Sequence, residues 1–421
     1  MNVLVMRFSA LGDVAMLSPV VREYALQHPE DSVTVLSVPF CAPLFEDIAP
    51  NVSFLGRAVK TQYRGIMGLF RLFKELHAMH FDRIVDAHDV LRTKVLRQYF
   101  RLRGYEVRVI DKHRSDRRQL TAEPGKKVLR QLPTSFENYA EALWGGDFSG
   151  LSGGSGFSGL SSDSGFSSDS GFSGYSGFSG YSGVSGHSGL SSYSVDSVHL
   201  PSGGGREWAA GRTAFGVAPF AAHKGKIYPI EKMEQVVEML SHSGRVVLFG
   251  GKGEEEDIMR AWAQKYSNVE LARDVISKDG GSGFSGYSGY SGVSGHSGLS
   301  SYSGASRPLP PGGGRVGAVG RTSGLAAELE LMRGLDVMLS MDSANMHLAS
   351  LVGTRVVSVW GATHPYAGFL GWGQRAEDCV QKDLPCRPCS IYGSKPCRYS
   401  DYRCLNSITP EEIVKAVTSK G

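Results

Sequence analysis

The sequence predicts an α/β protein made of two units of one plan, in which parallel strands alternate with helices. Three observations predict it. Short apolar runs recur along the chain, each followed by a turn and then by apolar residues at helical spacing. This alternation fills residues 1–146, stops, and resumes over 206–279 and 315–421. At 421 residues the chain also exceeds the usual size of a single domain. Strands alternating with helices imply βαβ crossovers, and so a parallel sheet in each unit.

The first unit opens with the apolar run Val3-Leu4-Val5-Met6, followed by the turn Leu11-Gly12-Asp13. A helix is expected over about 14–27, with Val14, Leu17, Val21 and Tyr24 on one face. Residues 32–38 are rich in β-branched side chains and stop at Pro39, hence a second strand. An amphipathic helix over 66–79 and strands over 82–86 and 106–110 complete the unit.

In the second unit 214–218 is a strand and 230–241 a helix, with Ser243-Gly244 as its stop. The strand 245–249 leads through Gly250-Gly251-Lys252-Gly253 into a helix opening on Glu254, Glu255 and Glu256. A strand over 336–340, a helix over 344–351 and a strand over 355–360 follow. The last helix begins at Thr409-Pro410-Glu411-Glu412, with Thr as N-cap, Pro at the first helical position and acids at the positive dipole end.

Between these parts the composition changes. Residues 147–205 and 280–314 are low-complexity, dominated by Phe/Tyr-Ser-Gly triplets, and they hold most of the excess in a glycine count of 54. The string GYSGVSGHSGLSSYS occurs at 180–194 and again, unchanged, at 289–303. Neither copy has a period that could bury a face, so surface loops without fixed structure are expected there.

Hydrophobic residues at 41% and charged residues at 20% suit a soluble globular protein, and a net charge of +4 does not argue for nucleic acid. Charge is concentrated, however. Residues 92–118 carry ten Lys/Arg against Glu106, Asp111 and Asp116. Such a run is either a solvated helix face or the footprint of an anionic partner. The chain opens on a strand with no charged leader and apolar stretch before it, and no apolar run is long enough to span a bilayer, so a cytoplasmic protein, resting at most on a membrane surface, is expected. Five of the six cysteines fall between Cys379 and Cys404, unlike a secreted disulfide scaffold. Cys386, Cys389, Cys397 and Cys404 could supply four thiolates to a structural zinc, although their spacing is irregular; free or regulatory thiols are the alternative.

Three segments carry chemistry. Asp13 stands at a strand-to-helix turn, either as an N-cap or as a carboxylate facing a ligand crevice. The turn lacks G-x-G-x-x-G, which disfavours a dinucleotide dehydrogenase. Asp342-Ser343-Ala344, followed by His347, ends a strand and begins a helix whose free N–H groups suit a diphosphate. Lys226 lies on a loop after a strand, where an ammonium can meet phosphate charge.

Taken in order, these segments resemble the motifs of the family 9 glycosyltransferases, the lipopolysaccharide heptosyltransferases. Arg7-Phe8-Ser9-Ala10-Leu11-Gly12-Asp13-Val14 resembles their opening motif, and the Lys226-Ile227-Tyr228-Pro229 loop their lysine-aromatic-proline segment. Gly320-Arg321-Thr322-Ser323 is similar to their glycine-threonine-serine turn. The stretch from Asp342 to Ala349 resembles their D-S-G-x-x-H-L-A helix, and Trp360-Gly361-Ala362-Thr363-His364-Pro365 their closing G-x-T-x-P. The resemblance covers both halves outside the two low-complexity stretches.

That resemblance implies a GT-B architecture, two Rossmann-like domains facing across a cleft, with acceptor bound by the first and nucleotide-sugar by the second. It implies an inverting displacement that needs no metal cofactor, with Asp13 as general base. Lys226 and the helix start at Asp342, Ser343, Ala344 and His347 would hold an ADP-heptose-like donor, Ser323 would line its nucleotide pocket, and Glu255 would bind the ribose. Gly12, Arg92, Arg114 and Arg117 would face an anionic glycolipid acceptor, with the protein peripheral at the inner membrane and without a nucleic-acid partner. Ala10, Ala221, Ala222, Ala344-Asn345 and Ile227-Tyr228 depart from the family pattern, which bears on donor sugar and base more than on reaction type. A non-catalytic nucleotide-sugar binder and a sugar-nucleotide epimerase of the same fold are the alternatives.

Overall fold

The computed structural model describes residues 1–146, 213–278 and 324–419. The expectations for the repeats and for Ser323 lie outside the described residues. The first domain runs β1 (Asn2–Met6), α1 (Leu11–Gln27), β2 (Ser32–Ser37), β3 (Val52–Gly56), α2 (Gly65–His77), β4 (Arg83–Asp86), α3 (Leu91–Leu102), β5 (Glu106–Val109), α4 (Arg114–Leu120) and α5 (Ser135–Trp144). The second begins β6 (Thr213–Ala218), α6 (Ile230–Ser243), β7 (Gly244–Leu248), α7 (Glu254–Lys265), β8 (Val269–Leu271) and α8 (Ala272–Lys278). It continues α9 (Gly324–Arg333), β9 (Val337–Met341), α10 (Ala344–Leu351), β10 (Arg355–Val359), β11 (Cys379–Val380), α11 (Arg403–Asn406) and α12 (Pro410–Thr418).

Every strand pair is parallel, in the orders β3-β2-β1-β4-β5 and β11-β10-β9-β6-β7-β8. Both are doubly wound orders that reverse direction at one point, between β1 and β4 in the first sheet and between β6 and β9 in the second. A crevice opens at such a point, beyond the carboxyl ends of the strands. The central strands are largely apolar and almost wholly buried because helices cover both faces, which is why they read as near-continuous runs, with Ser340 a buried exception.

Helix composition follows position. In α2 only Leu69, Leu72, Phe73 and Leu76 are buried, one stripe against the sheet. In α1 twelve residues are buried, and in α10 every residue from Asn345 to Leu351. A helix buried on all sides is covered on all sides, and α1 and α10 lie against each other. The largest apolar cluster runs through this seam, joining Val14, Leu17 and Val21 to Met346, Leu348 and Leu351.

One helix start shifts from expectation and another holds. α1 starts at Leu11 rather than 14, with Ala10 as N-cap, so Asp13 lies in the first turn and is not itself the cap. α12 starts as expected: the Thr409 hydroxyl accepts from Glu412 N at 3.2 Å while Thr409 N donates back to Glu412 at 2.7 Å.

Candidate active site between the two sheets

At the carboxyl end of β1, Arg7 is buried and its guanidinium meets Asp13 at 2.6 Å. A second nitrogen donates to the Ala87 carbonyl at 2.5 Å, and the group lies 5.4 Å from the Tyr139 ring centre. Ala10 N donates to Asp13 at 3.2 Å. Burial opposes ionisation of Asp13, but Arg7, the Ala10 N–H and His347 outweigh it and hold the carboxyl below its ordinary range. The result is a carboxylate that stays ionised and remains 32% exposed to the cavity. Across the switch point His88, on the exit of β4, takes the Phe8 N–H on Nδ1 at 3.4 Å and reaches Ser9 Oγ at 3.3 Å through Nε2. Burial and Arg7 bring His88 down to about 3, so it is neutral.

The second sheet offers its own switch point. Lys226, on the loop after β6, meets Asp342, at the exit of β9, at 2.9 Å, and both are largely buried. The lysine stem lies against Gly393, whose φ of 75° suits glycine. Ser343 is the N-cap of α10 but makes no side-chain cap, leaving the first N–H groups of that helix to a ligand. His347 is buried one turn along, and burial brings it down to about 4 against the pull of Asp342 and Asp13. It is therefore a neutral imidazole and can meet a phosphate by an N–H, not as a cation. Among the described residues its Nδ1 has no partner.

The two switch points face one cavity of about 230 Å³, lined by Asp13 and Gly12 from the first domain and by Lys226, Asp342, Ser343, Ala344 and His347 from the second. A second hollow of about 210 Å³ lies on the other side of Asp13, lined by Arg7, His88, Lys112, Arg117, Asn138 and Tyr392. Lys112 makes no ion pair among the described residues, and burial and Arg7 bring it down to about 8. Tyr392 belongs to both cavities. Its hydroxyl accepts from Arg117 at 2.7 Å, and Arg117 also lies 5.1 Å from the Phe369 ring centre. This bridge ties α4 of the first domain to the carboxyl-terminal segment of the second.

Residues 315–400 match the model of Glycosyltransferase family 9 (heptosyltransferase). That segment is similar to family 9. The match takes in the Asp342–His347 helix start and the closing motif at Gly361, so the resemblance drawn from these motifs is borne out. Lipooligosaccharide heptosyltransferase 2 of Campylobacter jejuni is 24% identical over 82 residues, 20% of this chain and 25% of that protein. The chain thus spans about a quarter of the length of the curated relatives it matches. Two solved structures share the fold over nearly the whole chain. The E. coli ADP-heptose lps heptosyltransferase II has a TM-score of 0.53 at 13% identity, covering 99% of this chain and 97% of that one. The family 9 glycosyl transferase of Veillonella parvula has a TM-score of 0.57 at 12% identity, covering 99% and 95%. The architecture is GT-B, as the resemblance implied.

The other expected residues lie both at the two cavities and away from them. Gly12 packs against His347 at the crossing of α1 and α10. Arg117 lines the second hollow, whereas Arg114 is held by Asp89 at 2.5 Å and Arg92 is exposed at the start of α3 and lines neither cavity. Glu255 accepts from Gly251 N at 2.8 Å at the start of α7 and lines neither cavity. Sequence reasoning missed Arg7 as the partner of Asp13, Lys112 and His88 in the second hollow, and Tyr392.

Tyr392 arrives on the cysteine segment. What pins that segment is Arg387, buried and donating to the carbonyls of Gly361 at 2.6 Å and Thr363 at 2.9 Å. Lys127 of the first domain adds a bond to the Pro388 carbonyl at 2.9 Å. Cys386, Cys389, Cys397 and Cys404 are free thiols. Among the described residues no three His, Cys, Asp or Glu side chains form a group that could hold a metal ion.

Proposed function

We propose that this protein transfers a sugar from a nucleoside-diphosphate donor to an anionic glycan acceptor, with inversion at the anomeric carbon. One observation carries the reading: Asp13 from one sheet and Lys226 from the other, with the open start of α10, line the same cavity. The acceptor hydroxyl oxygen attacks the anomeric carbon as the bond to the diphosphate breaks, and the nucleoside diphosphate leaves with the bonding electrons. Asp13 takes the hydroxyl proton as it becomes acidic in the transition state. Lys226 and the α10 N–H groups meet the charge on the leaving diphosphate, a task they can perform without a metal.

The pairing with Arg7 makes Asp13 a weaker base, but it also keeps the carboxylate deprotonated and aimed by two contacts. Asp342, nearly buried, orients Lys226 and does not point at the donor's charge unscreened. On the acceptor side, Lys112 and Arg117 suit a carboxylate or phosphate on the acceptor. The name of the solved E. coli heptosyltransferase II supports ADP-heptose as donor and a lipopolysaccharide core as acceptor. Among the described residues no helix is long and apolar enough to cross a membrane.

The test is consumption of ADP-heptose with and without lipopolysaccharide-core acceptor, following both released ADP and glycosylated product. The expected result is ADP release that depends on acceptor. Conversion of the donor without acceptor indicates an epimerase, and binding without turnover a non-catalytic binder; either outcome overturns the reading.

A further inference from the structure

Residues 57–74 contain Arg57, Lys60, Arg64, Arg71 and Lys74 and no acidic residue. In their midst, at the first turn of α2, Ile66 and Met67 are 67% and 78% exposed, and Leu91 at the start of α3 is 78% exposed. Ile66 continues the stripe of Leu69, Phe73 and Leu76 one turn past the end of what it packs on.

α2 and α3 lie side by side, with Phe70 against Tyr99 and Phe73 against Phe100. Both lead out of the same parallel sheet, so their first turns emerge at one edge, and Lys60 sits close enough to Arg92 to feel its charge. Three exposed apolar side chains thus share a corner with Lys60, Arg64 and Arg92, all exposed. Among the described residues Arg64 and Arg92 pair with no acid.

The corner is firmly built. Tyr63 is buried and donates to Glu75 at 2.7 Å, and Gly68 gives its backbone room to approach. Arg71 lies 5.1 Å from the Tyr63 ring centre. With Tyr63 turned inward and fixed, the chain presents Ile66 and Met67 outward. The same loop, at Lys60 and Thr61, lines a hollow of about 200 Å³ that it shares with Ser9, Ala10 and Leu11, on the turn that leads to Asp13.

We infer that this corner rests on an anionic lipid surface, with Ile66, Met67 and Leu91 in the head-group boundary and Lys60, Arg64 and Arg92 on lipid phosphates. An apolar insertion and a basic cluster together are the two signals that a reversible peripheral attachment requires. A second copy of the chain is a poorer occupant, because two such corners would bring like charges face to face. Docked this way, the mouth beside Asp13 lies next to the lipid surface.

The inference does not rest on the transfer reading, since its test needs neither donor nor acceptor. Full-length protein is sedimented with phosphatidylcholine vesicles, with and without phosphatidylglycerol, at low and high salt. It should partition to the anionic vesicles about tenfold more than to neutral ones, and salt should weaken this. Ile66→Ser with Met67→Ser should lower partitioning about tenfold while leaving the melting temperature unchanged, as expected for side chains that face outward. Equal sedimentation of variant and wild type, or no preference for anionic vesicles, overturns the inference. So does light scattering that shows a wild-type dimer which the double substitution converts to monomer, for then the corner is an interface between copies.

Discussion

Gly12 and His347 touch where the two domains cross: a Cβ on Gly12 would lie 2.7 Å from His347 Cδ2 and 3.3 Å from the Ala344 backbone. Neither α1 nor α10 can yield easily, because both are buried on nearly every side. Gly12→Ala should therefore cost about 1–3 kcal/mol as overpacking of a closed seam. It should also lower turnover, since Asp13 is the next residue along. A melting temperature unchanged from wild type would show that the seam adapts.

Asp13→Asn keeps the shape of the side chain and removes its capacity to take a proton. Turnover should fall by about a hundredfold or more, with donor affinity nearly intact. Calorimetry with donor, set beside the rate with acceptor, separates the two effects.

Replacing Arg7 tests how the Asp13 carboxylate is held. Arg7→Met leaves burial unopposed by the guanidinium, so the Asp13 pKa should rise and the acid limb of kcat/KM should move up in pH. In the wild type the folded-state pKa lies below the ordinary 3.8, so stabilisation from the pair is present above that value and is lost as pH falls below it. Denaturation at neutral pH and at pH below that value, on both proteins, gives the stability side; pH–rate profiles give the other.

Lys226→Met leaves the Asp342 carboxylate nearly buried without its cation, a change that costs about 3–5 kcal/mol when a buried pair is broken on one side. Adding Asp342→Asn should recover much of the lost stability but not the diphosphate affinity, which a thermal melt and an ADP titration read separately. Wild-type turnover should persist in EDTA, because Lys226 and the start of α10 meet the phosphate charge. Loss of activity with chelator, restored only by magnesium or manganese, would contradict that role.

Deleting 150–194 and 281–303 should preserve the cooperative unfolding transition and the activity. Both sheets pair strand to strand within the described residues. The closure entropy of a connection grows only with the logarithm of its length, so stability should change by about 1–2 kcal/mol at most. Calorimetric scans of the shortened and full chains decide it.

Legibility in the sequence followed the reach of the interactions. α10 was expected over 344–351 and is found there, because a turn at Asp342-Ser343 and a compact apolar stretch are local signals. β3 is not legible: it is an edge strand, only half-buried, so Val52 to Gly56 lack clean alternation. The true start of α1, three residues before the first clear signal of helical spacing, is hidden because Ala10 is a cap without a capping side chain. Asp13 and Lys226 stand out because each follows a strand at a turn. Arg7, although it opens the same segment, does not, since its bond to Asp13 depends on the chain folding back after β1. Tyr392 had no signal at all; it reaches the cavity only because Arg387 fastens an aperiodic segment beside it.

β6 and β9 are neighbours at the middle of the second sheet, yet Ala214 and Asp336, joined at 2.7 Å, stand 122 positions apart in the chain. That loop must close before any bond of the pair can form, so the meeting of these two strands governs how fast the sheet assembles more than how firmly it holds. One copy of the fifteen-residue string, at 289–303, lies inside this loop, and the other precedes it. Gaining or losing a copy there should change the time during synthesis for which strand edges wait unpaired, and with it exposure to aggregation. The length of the 280–314 stretch is thus expected to act on the rate of assembly, which refolding of chains with and without 289–303 would read.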